Sequence, residues 1–201
     1  MPDYHIDTKS KIFNTALRLF AIRGVENVSM REIADAVGIK AASIYNHYEN
    51  KEEIVEACYD FFLKNHDIGR LNKIEYLPVI KHGTKREVLD AIFTPLPKDK
   101  AEKVILSMIV TFSRIYSDDK ARECYMKMIN HSMRFLRDFF EAAIEIKRFR
   151  EFNIKGVSMS FLSAKMLAAQ SVSLCSEEAP DWPQLQAEMF SVLADLLPFR
   201  Y

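Results

Sequence analysis

Residues 29–48 read SMREIADAVGIKAASIYNHY, from Ser29 to Tyr48. The spacing predicts two short helices joined by a tight turn. Ser29 is an N-cap residue, and Glu32 three positions on completes an S-x-x-E capping box. Ile33, Ala34 and Val37 then share one face, and Gly38 follows where a glycine takes φ > 0 and stops the first helix. Ile39 plugs the corner. Lys40 to Tyr48 predicts a second helix, with Ile44 and Tyr48 four apart on its inner side. Two helices of this length across a glycine turn have the helix-turn-helix layout, whose second helix enters a DNA major groove. A hairpin that only packs would show the same periodicity. The outward positions argue against it: Lys40, Ala41, Ser43, Asn46 and His47 are small or hydrogen-bonding, as a base-reading surface requires.

Outward from this stretch the chain reads as helical throughout. Only 5 glycines and 7 prolines interrupt it, and no strand-like alternation survives between them. A first helix is expected from Thr8 to Arg23 on the stripe Ile12, Ala16, Leu19 and Phe20, ended by Gly24. Asn50 with Glu53 caps another from Lys51 to about His66. Ile68 to Gly83, with Gly69 and Pro78, reads as a connector holding one helical turn at most. Thr84 and Glu87 cap a short helix to about Phe93. Further helices are expected over Lys98–Tyr116, from Asp118 or Asp119 to about Phe149, over Val157–Ser176 and over Pro180–Leu197.

Composition bounds the function. The chain has 201 residues, a formal net charge of zero and 49% hydrophobic residues, and no apolar run approaches the ~18 residues of a transmembrane helix. Its first residues, MPDYHIDTKSK, lack the apolar core of a signal peptide, so a cytoplasmic protein is expected. Neutrality excludes a bulk nucleic-acid coat, whereas a site-specific binder needs only a local basic surface. Cys58, Cys124 and Cys175 are far apart and odd in number, which points to reduced core thiols. The histidines His5, His47, His66, His82 and His131 pair with no ligand at metal spacing, and Glu141 with Glu145 reads as a solvated helix face. No P-loop, G-x-G-x-x-G or G-x-S-x-G is present. The expectation is no enzyme, no cofactor and no metal.

Residues 8–54 resemble the DNA-binding domain of the TetR family of bacterial transcriptional regulators. The resemblance rests on Ile12, Ala16, Phe20, Gly24, Ser29, Ile33, Ala34, Ala36, Gly38, Ile39, Ile44, Tyr45, His47, Tyr48, Lys51 and Ile54. The chain departs from the family pattern at Ala42, where many members have glycine, at Lys40 (serine) and at Tyr48 (phenylalanine), which bears on the operator sequence. The resemblance implies an all-α protein with a three-helix DNA-binding domain over residues 1–50. A larger helical ligand-binding and dimerisation domain would follow over 51–201. The implied function is a ligand-responsive regulator, a repressor, binding a palindromic operator as a homodimer. A regulator governed by a partner protein, or an activator with no small ligand, is the alternative.

For DNA contact, Ser29 and the N–H groups behind it form a candidate phosphate seat. Arg31 reaches a base edge or the backbone, or stays solvated. Ala41, Ala42 and Ser43 form the first turn of the second helix, where a methyl can touch thymine and the serine hydroxyl can bond either way. Lys40 reaches guanine or a phosphate. By the resemblance, Tyr45 and His47 hold phosphates and Lys51 clamps another, while Tyr48 is a core ring.

For regulation, Met108, Phe112 and Tyr116 line up on one helix and Cys124, Met128, His131 and Phe135 on the next. With Tyr59 and Phe62 they form a candidate pocket for a lipophilic or aromatic effector, in which methionines adapt to shape and His131, Tyr59 and Tyr116 orient polar groups. A ligand there would lean on Tyr59 and Phe62, tilt the helix beginning at Lys51, and move the recognition helices off the spacing of about 34–36 Å between adjacent major grooves. For assembly, Ser160, Ala164 and Ala168 give a small face for close helix approach. Trp182, Met189 and Phe190 are candidate anchors of a four-helix interface, as the family resemblance implies.

Overall fold

The computed structural model describes residues 7–66, 68–92, 97–174 and 197–199, with side chains omitted at 98, 165 and 167–174. The described residues are helical, with only isolated bridge pairing such as Phe149 with Phe199 outside the helices. The chain divides into two compact units, residues 1–66 with 97–127 and residues 67–96 with 128–201.

In the first unit α1 spans Thr8–Arg23, α2 Met30–Val37, α3 Ala41–Ile44, α4 Lys51–Asn65 and α7 Lys98–Ser113. Asp7 starts α1 by accepting the Ser10 N–H at 2.8 Å. Asn50 starts α4 by accepting from Glu53 N–H at 2.9 Å. The buried stripe of α1 (Ile12, Ala16, Leu17, Phe20) faces α2, α4 and α7. Ile54, Val55, Cys58, Tyr59 and Phe62 give α4 the broad apolar arc that packs on both α1 and α7. The compact unit therefore groups α4 with the three helices before it.

Three expectations about elements are corrected here. The second helix of the pair was expected over Lys40–Tyr48, but α3 covers only Ala41–Ile44. Beyond it, Asn46 N–H bonds Ser43 O and His47 N–H bonds Ile44 O, so the segment closes in tight three-residue turns. The helix expected over Lys98–Tyr116 stops at Ser113. The hydroxyls of Ser107, Thr111 and Ser113 bond back to the carbonyls of Val104, Ser107 and Val110, and the N–H of Arg114 takes Thr111 O at 3.2 Å. Such back-bonding competes with helix continuation. The helix expected to reach Phe149, α8, spans Asp119–Glu145 and ends before Lys147, whose φ is 60°.

The second unit holds α5 (Lys73–His82), α6 (Lys85–Ile92), the part of α8 after Lys127 and α9 (Ile154–Leu174). Residues 68–83 are more regular than the expected connector. Asn72 accepts from the N–H groups of Ile74 and Glu75 while Glu75 reaches back to the Asn72 N–H, a full capping box. Ten helical residues follow, with Pro78 inside, at the cost of one backbone hydrogen bond. Thr84 and Glu87 box the start of α6 as expected. The core is aromatic: Tyr76, Phe135, Phe139, Phe140, Phe149 and Phe161 are buried together. The helix expected from Val157 begins three residues earlier, with Asn153 accepting the Gly156 N–H at 2.9 Å. The expected helix over Pro180–Leu197 lies, but for Leu197, outside the described residues, as does Cys175.

Candidate nucleic-acid interface

Ser29 and Glu32 make the predicted box. The serine hydroxyl accepts the Glu32 N–H at 3.2 Å, and one Glu32 oxygen accepts both the Ser29 N–H and hydroxyl at 2.8 Å. Arg23 donates to the other oxygen at 2.7 Å. The Arg23 hydrogen bond, with those from Ser29, lowers the Glu32 carboxyl to about 2. The Ser29 amide is thus already occupied by a carboxylate, so a phosphate seat there falls to the amides of Met30 and Arg31. Arg31 itself is exposed, with Asp35 at 4.0 Å.

Gly38 turns the corner at φ 79°, ψ 31°, and its N–H meets the carbonyls of Ala34 and Asp35. Ile39 N–H takes Ala34 O at 3.0 Å, closing the helix end. A left-handed residue at this position is what a glycine C-cap supplies. The chain then enters α3 with Ile44 fully buried and Tyr48 buried, its ring under the Lys9 ammonium at 4.8 Å. Those two side chains fix which face of α3 turns out. Lys40, Ala41, Ala42, Tyr45 and Asn46 are exposed, and Ser43 and His47 are half-buried. Tyr45 keeps 55% of its surface open, although it is a large ring with a polar tip.

Lys51 is placed differently from a free clamp. Its Nζ donates to Val25 O at 2.9 Å and so closes the short 3-10 turn Val25–Asn27 that leads into α2. An ammonium has three donors, so two remain for a phosphate.

A charge cluster not found from the sequence braces this unit. Arg114, just past α7 and 14% exposed at its side chain, donates to Glu26 at 2.7 Å and to Glu52 at 3.3 Å, with Asp118 at 3.4 Å. Tyr59 donates its hydroxyl to Asp118 at 2.8 Å. Burial pushes the Asp118 carboxyl up. The bonds from Tyr59, from the Ala121 and Lys120 amides and the Arg114 charge outweigh that and leave it lowered. Burial, then the bond to Asp118, holds the Tyr59 phenol well above its usual range, so it stays a donor. Asp118 is only four residues from Arg114, but Tyr59, Glu52 and Glu26 stand 59 to 88 residues from the groups they meet. No local signal could have found those three.

The residues expected to line a pocket divide between the units. In the first, Phe112 packs edge-on against Phe62 at 5.7 Å and against Tyr125 at 5.1 Å, Met108 is buried, and the Cys124 thiol donates to Tyr59 O at 3.4 Å. Burial raises the Cys58 thiol to about 12 and the Cys124 thiol to about 11. Tyr116 is 90% exposed. Its expected alignment with Met108 and Phe112 is corrected, because α7 stops at Ser113 and Tyr116 sits in the turn beyond. In the second unit Met128 is buried and accepts from Ser132 at 3.8 Å. His131 and Phe135 border a cleft of about 580 Å³, with Tyr76, Arg134, Asp138 and Glu141. His131 Nε2 lies 3.1 Å from Gly69 O, and so pins the loop before α5 to α8.

Of the expected dimer residues, Ser160 is exposed and bonds Gly156 O at 3.0 Å, and Ala164 is half-buried. Ala168, Trp182, Met189 and Phe190 lie outside the described side chains. Among the described residues no group of histidine, cysteine and carboxylate side chains could hold a metal ion, and no helix is long and apolar enough to cross a membrane.

The family profile described as bacterial regulatory proteins, tetR family, matches residues 12–58. Over 67 residues the chain is 45% identical to the negative transcriptional regulator IcaR of the Staphylococcus epidermidis biofilm operon, covering 29% of this chain and 36% of that one. Over 94 residues it is 33% identical to the transcriptional regulator TtgR of Pseudomonas putida, covering 46% and 44%. The chain thus matches less than half the length of these relatives. The fold extends further: the ketosteroid regulator KstR2 of Mycobacterium tuberculosis superposes with a TM-score of 0.69 over 97% of both chains at 16% identity. The regulator PfmR of Thermus thermophilus superposes at 0.62 over 94% and 96% at 18% identity. Residues 12–58, with the helix-turn-helix built on Ser29, Gly38, Ile44 and Tyr48, thus match the tetR family of bacterial regulatory proteins, and the all-helical fold is shared with solved regulators over nearly the whole chain.

Proposed function

We propose that the chain is a transcriptional repressor that binds a palindromic DNA operator as a homodimer and is released by a small lipophilic or aromatic effector. Residues 1–50 serve as the DNA-reading part and 51–201 as the regulatory and dimerising part. The observation that carries this reading is the outer face of α3. Ile44 and Tyr48 are buried behind it, and Lys40, Ala41, Ala42, Tyr45 and Asn46 stand free in front. Small side chains let a helix approach base edges closely, and Tyr45, His47 and Lys51 are the residues assigned here to phosphates. A single module reads few base pairs, which favours a two-fold dimer. The relatives named as negative regulators support repression over activation.

The effector reading gains most from the second-unit cleft. Tyr76 and Phe135 offer it an aromatic wall and Arg134, Asp138 and Glu141 a charged rim. Its volume of about 580 Å³ falls within the ~300–1,000 Å³ of small-molecule sites. An effector releases the operator only by as much as it prefers the released conformation. The test is a reporter gene with the preferred DNA sequence placed in its promoter. Expression of the chain should lower transcription, and a compound that binds the protein should restore it. Transcription that rises when the chain is expressed would make it an activator.

A further inference from the structure

A second recess lies in the first unit, where α1, α4 and α7 meet. It is about 530 Å³ in volume, shares no lining residue with the second-unit cleft, and is also lined by Tyr48 on the inner side of the recognition segment. On α4, Ala57, Phe61, Lys64 and Asn65 recur at helical spacing and so share one face; on α1, Lys9, Ser10, Phe13 and Asn14 face them, and α7 adds Lys103. The Phe13 and Phe61 rings lie 5.6 Å apart, tilted at 45°, and both remain half-exposed. The two rings pack on each other and still present apolar surface to the recess.

The rim is lopsided in charge. Lys9, Lys64 and Lys103 stand against the single carboxylate of Asp60 among the described lining residues. The Asp60 charge is also shared with Lys120 and Lys127, whose ammonium groups feel it. The recess therefore combines an apolar floor with a net cationic rim. That is the recognition chemistry of an organic anion with a flat apolar body: rings stack on Phe13 and Phe61, and the anionic group takes charge-assisted bonds from the lysines.

DNA phosphate is the obvious competitor for these lysines, and for Lys64 the geometry disfavours it. Lys64 lies 13 residues beyond Lys51 on α4, roughly 20 Å along the axis at 1.5 Å per residue. A phosphodiester strand would also leave the aromatic floor unused.

We propose that this recess between α1, α4 and α7 is a binding site for an aromatic or otherwise flat apolar carboxylate or phosphate. It stands independently of the operator reading. Its occupant touches α1 and α4, two helices that support the helix-turn-helix, and so braces the unit that carries α3.

The experiment titrates the full-length protein with 2-naphthoate and with the neutral 2-naphthamide by calorimetry. The wild type should bind the carboxylate about tenfold more tightly than the amide, the scale of one charge-assisted contact. The double variant Lys64→Gln, Lys103→Gln replaces rim side chains and should fold normally by circular dichroism. It should bring the two affinities together, whereas Arg134→Gln, in the other cleft, should leave them apart. Equal binding of acid and amide by the wild type would overturn the proposal, as would a preference that survives the double variant or is lost in Arg134→Gln. A lower salt slope of DNA binding in the double variant would assign the lysines to phosphate contacts and overturn it too.

Discussion

The Arg114 guanidinium lies 2.7 Å from the Glu26 carboxylate, 88 residues away in the chain, and joins the end of α7 to the turn that leads into α2. Glu26 is largely exposed, so that pair alone is worth little in water. The part of the cluster that counts is inward: Asp118 is nearly as covered as Arg114, and Tyr59 donates to it. Arg114→Met should therefore destabilise the protein by about 1–3 kcal/mol, since it removes the cation beside a partly buried carboxylate that keeps its neutral donors. Glu26→Gln should change stability by less than about 0.5 kcal/mol. Chemical denaturation of the two variants measures the difference, and equal losses would refute this ranking.

Glu32 gives a pH signature. Its carboxyl is held at about 2 in the folded chain against an ordinary 4.5, first by Arg23 and then by Ser29. A depressed carboxylate contributes stability above its unfolded value and loses it as pH falls toward the folded one. Wild-type stability should thus fall between about 4.5 and about 2 by a component that is missing in Glu32→Gln. Acid titration of both proteins by circular dichroism checks it. Ser29→Ala, which removes the cap oxygen, should cost about 1 kcal/mol at neutral pH.

Two glycines should respond differently to alanine. At Gly38 a Cβ would meet nothing within 4 Å, so only its positive φ is penalised, about 1 kcal/mol. At Gly69, with φ 77°, a Cβ would fall 2.8 Å from His131 Nε2 and 3.0 Å from Phe135. Gly69→Ala should be the more destabilising in thermal unfolding, because the loop before α5 must lift off α8 as well.

On DNA, Tyr45→Phe should weaken binding to every sequence alike, while Ser43→Ala should alter preference at one base position. Loss of a phosphate contact lowers the salt slope by roughly one unit. Lys51→Ala should also lower stability, since its ammonium closes the turn on Val25 O. Its DNA effect therefore has to be read from the salt slope rather than from affinity alone. An unchanged slope in Lys51→Ala would mean that the ammonium serves only the turn.

What the sequence disclosed follows from distance along the chain. The Ser29–Glu32 box, the Gly38 corner, the Asn50 cap and the inward Tyr48 all depend on residues within a few positions of one another, and each was legible. The Asn72–Glu75 box was just as local, but Gly69, Pro78 and Gly83 masked it as a connector. Tyr116 falls elsewhere than periodicity predicts because apolar spacing runs on past the end of α7 at Ser113, where the Arg114 N–H turns back to Thr111 O. The Arg114 cluster and both recesses assemble side chains from separate helices, and only the folded chain brings those together.

The central claim is that the outer face of α3 reads DNA in a two-fold assembly. Selection of bound duplexes from a random pool by the full-length chain tests it most directly. The enriched sequence should be a palindrome with half-sites about one helical turn, or a multiple of it, apart. Selection with Ser43→Ala should change a symmetric pair of positions within that palindrome. A pool that emerges without enrichment, or with a motif that Ser43→Ala and Tyr45→Phe leave unchanged in sequence and affinity, would contradict it.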